Sequence, residues 1–582
     1  MLYQLSYEGT LEPRTILMRF SRVKSCPRNV LESVKQSRDT VCWNVLPRQH
    51  LLPVSPSGRI FAMKLLKSTS LVSALTLCSR LFGFIRESLV ARIFGASAVT
   101  DAFNVAFRIP NLLRQLFNEG SFSTAFVPVL SDYKANRTAA ETQEFIDHVC
   151  GTLAAVLLMV VGFGLLAAPI IVRIVAPGWS DPAQTALTTD LLRVTFGYIF
   201  FVSLCGFAGG IMNTYRRFAV PALTPILLNV AMIFGAAVLS RYFSIPIFGL
   251  AWGALLGGLL QLAIQVPALM RLKLLPRPRW GWQHSGVRRV LKLMVPSMFG
   301  ASVAQVNMLV DVAIATFLMA GSVTWLSNAD RLLQLPQGVF GVALSAVILP
   351  HLSGRFAQQD AAGFSAALDW ALRIALIIAV PAMLTLTWLA EPVIWAVFGY
   401  GKYTSRDVHM AAWSLGTLAL GLPAFIGVKV LAPGFFSRMD TKTPVKAAMT
   451  SLVSNMVLNC IFVGSAVYFN FYAPHAGMSL ASAIAGYLNA GLLLFWLRRA
   501  GVFQAQAGWL AFALQLLMAA IMLSLLFAFA AQHMESWLGP WQGVPAHRRF
   551  AAVFTVIAAG GVVYVGTLVL CGLNPRHLLD RH

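Results

Sequence analysis

Apolar stretches of about 20 residues, the length a helix needs to cross the hydrocarbon of a bilayer, follow one another almost without pause from Leu71 to Leu570. Short polar segments separate them. The pattern places spans at roughly 71–93, 99–131, 145–176, 187–214, 219–240, 245–269, 290–318, 323–353, 364–398, 408–437, 444–468, 476–497, 508–531 and 550–572. A membrane barrel would show alternating segments of about ten residues instead, and only helices and closed barrels satisfy their backbone groups in lipid. The expected fold class is therefore an all-α polytopic membrane protein with about 14 transmembrane helices.

The polar segments give the organisation. Residues 1–62 hold nine Lys or Arg, four acids, and no apolar run long enough for a signal peptide or a span; they read as a basic, disordered N-terminal extension. Met63 opens Met63-Lys64-Leu65-Leu66-Lys67 directly before the first span, so the biological chain has a second possible start there. Even-numbered connections carry 17 Lys or Arg and odd-numbered ones five, which by the positive-inside rule puts both termini in the cytoplasm. The 270–292 connection alone has seven basic residues, with Trp280 and Trp282, and falls near the middle of the chain. On either side of it Ser123, Pro128, Leu130 and Ser131 recur as Ser345, Pro350, Leu352 and Ser353, shifted by 222 positions. The expected organisation is an N-lobe at 63–270 with helices 1–6, a basic cytoplasmic loop at 271–292, a C-lobe at 293–500 with helices 7–12, and helices 13–14 with a short tail at 501–582. Two six-helix lobes around a central cavity is an arrangement that transporters use to hold substrate between repeats.

Composition agrees. With 57% hydrophobic residues, 12% charged ones and a mean hydropathy of +0.70, the chain lies outside the range of soluble domains. A net charge of +23 and a pI near 10.3 would point to nucleic acid in a soluble protein; here the charge sits in loops, so membrane lipids rather than nucleic acid are the expected partners. The seven cysteines are scattered without a CxxC, which argues for neither disulfides nor a metal site. No ATPase motif, His-Glu metal pattern or nucleophile arrangement is present, so a transporter rather than an enzyme is expected. Its energy would come from a gradient, the membrane potential or the substrate itself.

The chemistry lies where charge is least expected. The first two spans contain Arg80, Arg86, Glu87, Arg92, Asp101, Arg108, Arg114 and Glu119, although an ionised side chain at helix-centre depth costs about 2.5–3.5 kcal/mol. Some of these arginines can snorkel to an interface or pair with the acids as internal ties, and Arg92 and Arg108 suit that role equally well. Arg80, Arg86 and Arg114, with Arg331 of the eighth span, better suit a cationic cavity. Arginine stays charged when desolvated and grips phosphate oxygens two at a time, so the cavity calls for an anionic substrate.

Ser79-Arg80-Leu81-Phe82-Gly83-Phe84-Ile85-Arg86-Glu87, Asp101-Ala102-Phe103, Ile109-Pro110-Asn111-Leu112-Leu113-Arg114, Glu119-Gly120-Ser121-Phe122 and Ala125-Phe126-Val127-Pro128 resemble the opening signature of the MurJ (MviN) lipid II flippases. Ala329-Asp330-Arg331, Ala432-Pro433-Gly434-Phe435 and Lys442-Thr443-Pro444 are similar to later blocks of that family, and the likeness runs from residue 63 to about 575. The resemblance implies the fold of the multidrug/oligosaccharidyl-lipid/polysaccharide exporter superfamily. The implied substrate is lipid II, an undecaprenyl pyrophosphate carrying a disaccharide-pentapeptide, flipped across the bacterial inner membrane for peptidoglycan synthesis, with cell-wall synthesis and division proteins as further partners. It assigns substrate binding to Arg80, Arg86, Arg114 and Arg331, with Ser79, Glu87, Asp101, Asn111 and Glu119 beside them. Glu87 stands where many members carry Asp.

A second polar group occupies the later spans. Asn307 and Asp311 are four apart, as are Asn455 and Asn459, so each pair shares a helix face, and Ser482 can join them. One carboxylate with amide and hydroxyl oxygens suits a monovalent cation, and some family members carry sodium in this lobe; interhelical hydrogen bonding is the plain alternative. Proton coupling is equally open. Three other functions compete: a multidrug antiporter of the same fold, which would favour an acidic cavity, a flippase for another polyprenyl-linked glycan, and a membrane enzyme acting on polyprenyl phosphate, which lacks its positioned acids or histidines here.

Overall fold

A bilayer selects helices that turn apolar side chains outward and keep polar ones inside. A computed structural model, which describes residues 56–115 and 122–573, has this inverted pattern. Phe163, Leu166, Ile170 and Ile174 project from the helix Ala139–Val175, Leu166 with 84% of its surface free, while Thr188, Ser203, Gln265 and Asn459 are buried. No strand occurs among the described residues. Ten of their helices are long and apolar enough to cross a membrane, or eleven if the bent pair Ser405–Ala419 and Leu422–Phe436 forms one span. The other expected spans, at 71–93, 99–131 and 290–318, fall on the helices Pro56–Phe94, Ala98–Arg114 with Phe122–Asn136, and Ser285–Ala315, which that count does not include; length and composition therefore stop short of 14. The first helix begins before Met63, and residues 1–55 lie outside the described residues.

Helix starts follow local chemistry. Thr138 with Glu141, and Thr404 with Asp407, form reciprocal capping boxes, and Ser97 caps Ala98–Arg114. The helix Ser322–Pro336 has no cap of its own: Gly321 precedes it at φ 97°, a conformation suited to glycine. Asp101 supplies the cap from another helix, accepting hydrogen bonds from Gly321 N at 2.6 Å and from Thr324 N and Oγ1 at 2.8 and 2.6 Å.

The second span of the C-terminal half is interrupted: Ser322–Pro336 ends at Gln337, passes through a π turn at Gln337–Gly341, and resumes as Val342–Ala357. One apolar core joins Phe103, Leu157, Leu191, Ile199 and Leu250 in the first half; another joins Leu333, Leu352, Leu368, Leu422 and Leu497 in the second. The last two long helices, Trp509–Leu538 and Ala546–Leu570, pack Phe527 and Tyr564 against Ile394, Phe398 and Leu415.

The halves meet at the end that carries the 398–404 connection. Ser88 Oγ donates to Val397 O at 2.6 Å, Lys402 N to Arg92 O at 3.0 Å, Asn104 Nδ2 to Thr324 Oγ1 at 3.0 Å and Gly178 N to Thr316 Oγ1 at 3.1 Å. Gly95 lies against Lys402, and Gly401 against Arg92, closely enough that a Cβ on either would strike backbone.

Candidate functional site

Behind that closed end lies a cavity of about 740 Å³. Five guanidinium groups line it, those of Arg80, Arg86, Arg108, Arg114 and Arg331, against the carboxylates of Glu87 and Asp330. All of these charges come from the first two spans and from Ser322–Pro336, the helices that face one another across the halves.

The arginines are held differently. Arg86 is 8% exposed: it donates to Asn229 Oδ1 at 2.9 Å, touches Met232 Sδ at 3.4 Å and pairs with Glu87. Asn229 in turn donates to Ser79 O and Pro225 O, each at 3.1 Å. Glu87 also meets Arg331 Nε at 3.4 Å, so one carboxylate joins a cation from each half. Arg114 Nε donates to Asn111 Oδ1 at 3.0 Å. Arg80 is exposed and rests on the interrupted eighth span, where its guanidinium fills the place a Cβ on Gly338 would take. The π turn and the bare glycine together make room for it.

Ser79, Arg80, Arg86, Glu87, Asn111, Arg114 and Arg331 therefore line one cavity. Asp101 does not. It is 2% exposed and absent from the lining, because both its oxygens are used in capping the helix of the other half; assigning it to substrate contact is corrected to a tie between halves. Glu119 lies outside the described residues. Sequence reasoning passed over Asn104, Asn229, Gln261, Asp330 and Gln334, which also line the cavity. Asn229 and Gln261 had a readable signal, each being an amide side chain in a largely apolar span.

The second group also assembles. Asp311 Oδ1 accepts from Asn455 Nδ2 at 3.1 Å and from Asn459 Nδ2 at 2.7 Å; its Oδ2 accepts from Asn307 Nδ2 at 3.3 Å. Asn455 Nδ2 also reaches Asn307 Oδ1 at 3.1 Å, and Ser482 Oγ donates to Asn455 Oδ1 at 3.4 Å. Asn459 Oδ1 is buried without a partner. In this arrangement the amides present N–H groups to the carboxylate; turning an amide over exchanges donor for acceptor and would gather oxygens suited to sodium. Among the described residues no three His, Cys, Asp or Glu side chains gather to hold a metal.

Residues 90–541 match the family described as lipid II flippase MurJ. The probable lipid II flippase MurJ of Vibrio cholerae serotype O1 is 39% identical over 523 residues, which cover 88% of this chain and 98% of that one. The lipid II flippase MurJ of Burkholderia cenocepacia is 39% identical over 526 residues, covering 89% of this chain and all of the other. Among solved structures, a lipid II flippase MurJ in an inward closed conformation superposes with a TM-score of 0.69 at 26% identity, over 86% of this chain and 99% of that one. An inward-facing multidrug transporter of the MATE family, at 14% identity and a TM-score of 0.60 over 74% of this chain and 98% of its own, shares the fold.

Proposed function

The chain belongs to the lipid II flippase MurJ family, and from that premise we propose that its cationic cavity is where it grips lipid II while carrying it across the inner membrane for peptidoglycan synthesis. The observation that carries this reading is five guanidinium groups against two carboxylates around one cavity between the halves. The pyrophosphate of lipid II is a compact anion of at least two charges. Converging guanidinium groups replace its hydration through paired N–H donors, while the polyprenyl tail stays in lipid. Helices 13 and 14 offer that tail an apolar surface: Leu510, Leu514, Leu517, Leu525 and Phe529 of Trp509–Leu538 are all exposed. A multidrug antiporter, which would select cations, is disfavoured by the sign of the cavity.

Within this reading Arg80, Arg114 and Arg331 hold the pyrophosphate, with Ser79 and Asn111 beside them. Arg86 acts one step back: nearly enclosed, it holds Glu87, which holds Arg331. The basic connections and both termini lie in the cytoplasm, so the closed 398–404 end faces the periplasm and lipid II enters from the opposite side. The lobes then rock about the cavity in alternating access, with cell-wall synthesis and division proteins taking up the product. The Asp311, Asn455, Asn459 and Ser482 group supplies a sodium site whose occupancy drives or biases the cycle; a proton at Asp311 would do the same work.

Complementation of a strain depleted of its own lipid II flippase tests the assignment. The wild-type chain should restore growth, and Arg80→Ala should not, at equal protein level in the membrane. Growth restored equally by both would remove the cavity from the mechanism.

A further inference from the structure

Two cavities share a wall. The smaller, about 260 Å³, is lined by Asn307, Asp311 and Ser482 of the cation group; Arg108, Met308, Ser327 and Asp330 line both it and the larger cavity. Arg108 is the one cation in that shared wall. It makes no hydrogen bond or ion pair among the described residues, and its Nε is buried without a partner. Asp330 stands with it in the shared wall, Asp311 lines the smaller cavity, and Arg331 adds a like charge from the larger. An unpartnered guanidinium inside a span is costly to keep, so its charge answers to groups across the two cavities rather than to a neighbour in contact.

We infer that Arg108 is the counter-cation of the Asp311 group and that through it the two cavities are coupled. This deepens the proposed function and rests on reading that group as a cation site. A sodium ion seated at Asp311 takes over neutralisation of the carboxylate and leaves the charge of Arg108 to the phosphates in the large cavity. By linkage the reverse holds: a pyrophosphate that engages Arg108 withdraws a like charge from the sodium site and tightens it. Couplings between sites are typically about 5- to 150-fold. Arg108 thus makes cation and anion bind together although they sit in separate chambers.

The test uses full-length protein in lipid nanodiscs, with sodium exchanged for choline at constant ionic strength and sodium affinity read from thermal stabilisation, with and without lipid II. In the wild type, lipid II should raise the apparent sodium affinity at least about fivefold. Arg108→Gln and Arg108→Met should bind sodium more tightly than wild type when lipid II is absent, and lipid II should no longer change the affinity. Arg108→Lys, which restores charge without the planar fork, should recover most of the coupling, an outcome that a role in packing alone does not give. Asp311→Ala should abolish the sodium effect. Sodium affinity and coupling unchanged in Arg108→Gln overturn the inference and leave the cation group standing; a wild type that sodium does not stabilise removes the cation reading and the coupling with it.

Discussion

Arg80 and Arg86 stand six residues apart in the same motif, yet their surroundings assign them different work. Arg80 is exposed to the cavity, and Arg86 is tied to Asn229 and Glu87. On the proposed function, replacing Arg80 or Arg331 by Ala should leave the protein in the membrane and inactive, because each would give up a phosphate contact while freeing the bilayer of a costly charge. Arg86→Ala should instead lower the amount of folded protein, since breaking an enclosed charge pair costs about 3–5 kcal/mol; Western blotting of membranes beside complementation separates the two classes. Equal protein levels for Arg80→Ala and Arg86→Ala would contradict this division. The sequence showed these arginines as an anomaly of charge within apolar spans but left both roles open for each. Asp101 looked like their companion and is a helix cap, because its partners, Gly321 and Thr324, lie more than 200 residues away and no local pattern announces them. Arg108 was divided between interface and cavity from sequence; the structure places it in the wall of two cavities.

At the scale of elements, the π turn that interrupts the second span of the C-terminal half is the feature that shapes the site. Serine and proline repeats signalled a duplication, but a π turn has no signature at this length, and the bare backbone at Gly338 became meaningful only once Arg80 was found against it. Gly338→Ala should therefore impair transport at normal protein level, since the new methyl group displaces the tip of a flexible arginine rather than backbone, and Gly338→Leu should impair it more. Transport rates in membrane vesicles at matched protein level measure this, and a Gly338→Leu variant as active as wild type would show that the position of Arg80 is unimportant. Most long spans were legible from hydropathy alone, and the capping boxes at Thr138 and Thr404 start their helices ahead of the apolar runs expected from 145 and 408. The places that resisted were those broken or charged for function, since such segments depart from the apolar run that makes a span readable.

For the whole molecule, the 398–404 end is closed by hydrogen bonds such as Ser88 to Val397 and Lys402 to Arg92 and by apolar packing of Ala91 in one core with Val397 and Phe398. Arg92→Cys with Lys402→Cys, at positions whose backbones are hydrogen-bonded at 3.0 Å, should cross-link on oxidation and stop transport, and reduction should restore it; unimpaired transport in the oxidised pair would contradict alternating access. Asp101→Ala removes the cap that crosses between halves, with a cost of about 1–3 kcal/mol for the donors left unpaired, and should increase labelling of a single cysteine at Lys402 by a membrane-impermeant reagent. The account as a whole rests on a cationic cavity that carries a pyrophosphate-linked lipid. Purified protein in liposomes, with fluorescent lipid II in one leaflet and its appearance in the other followed over time, tests that most directly. Wild type should move lipid II and the Arg80→Ala, Arg331→Ala double variant should not, although both remain folded; equal rates for the two proteins, or equally fast movement of an uncharged polyprenyl lipid by the wild type, would contradict it.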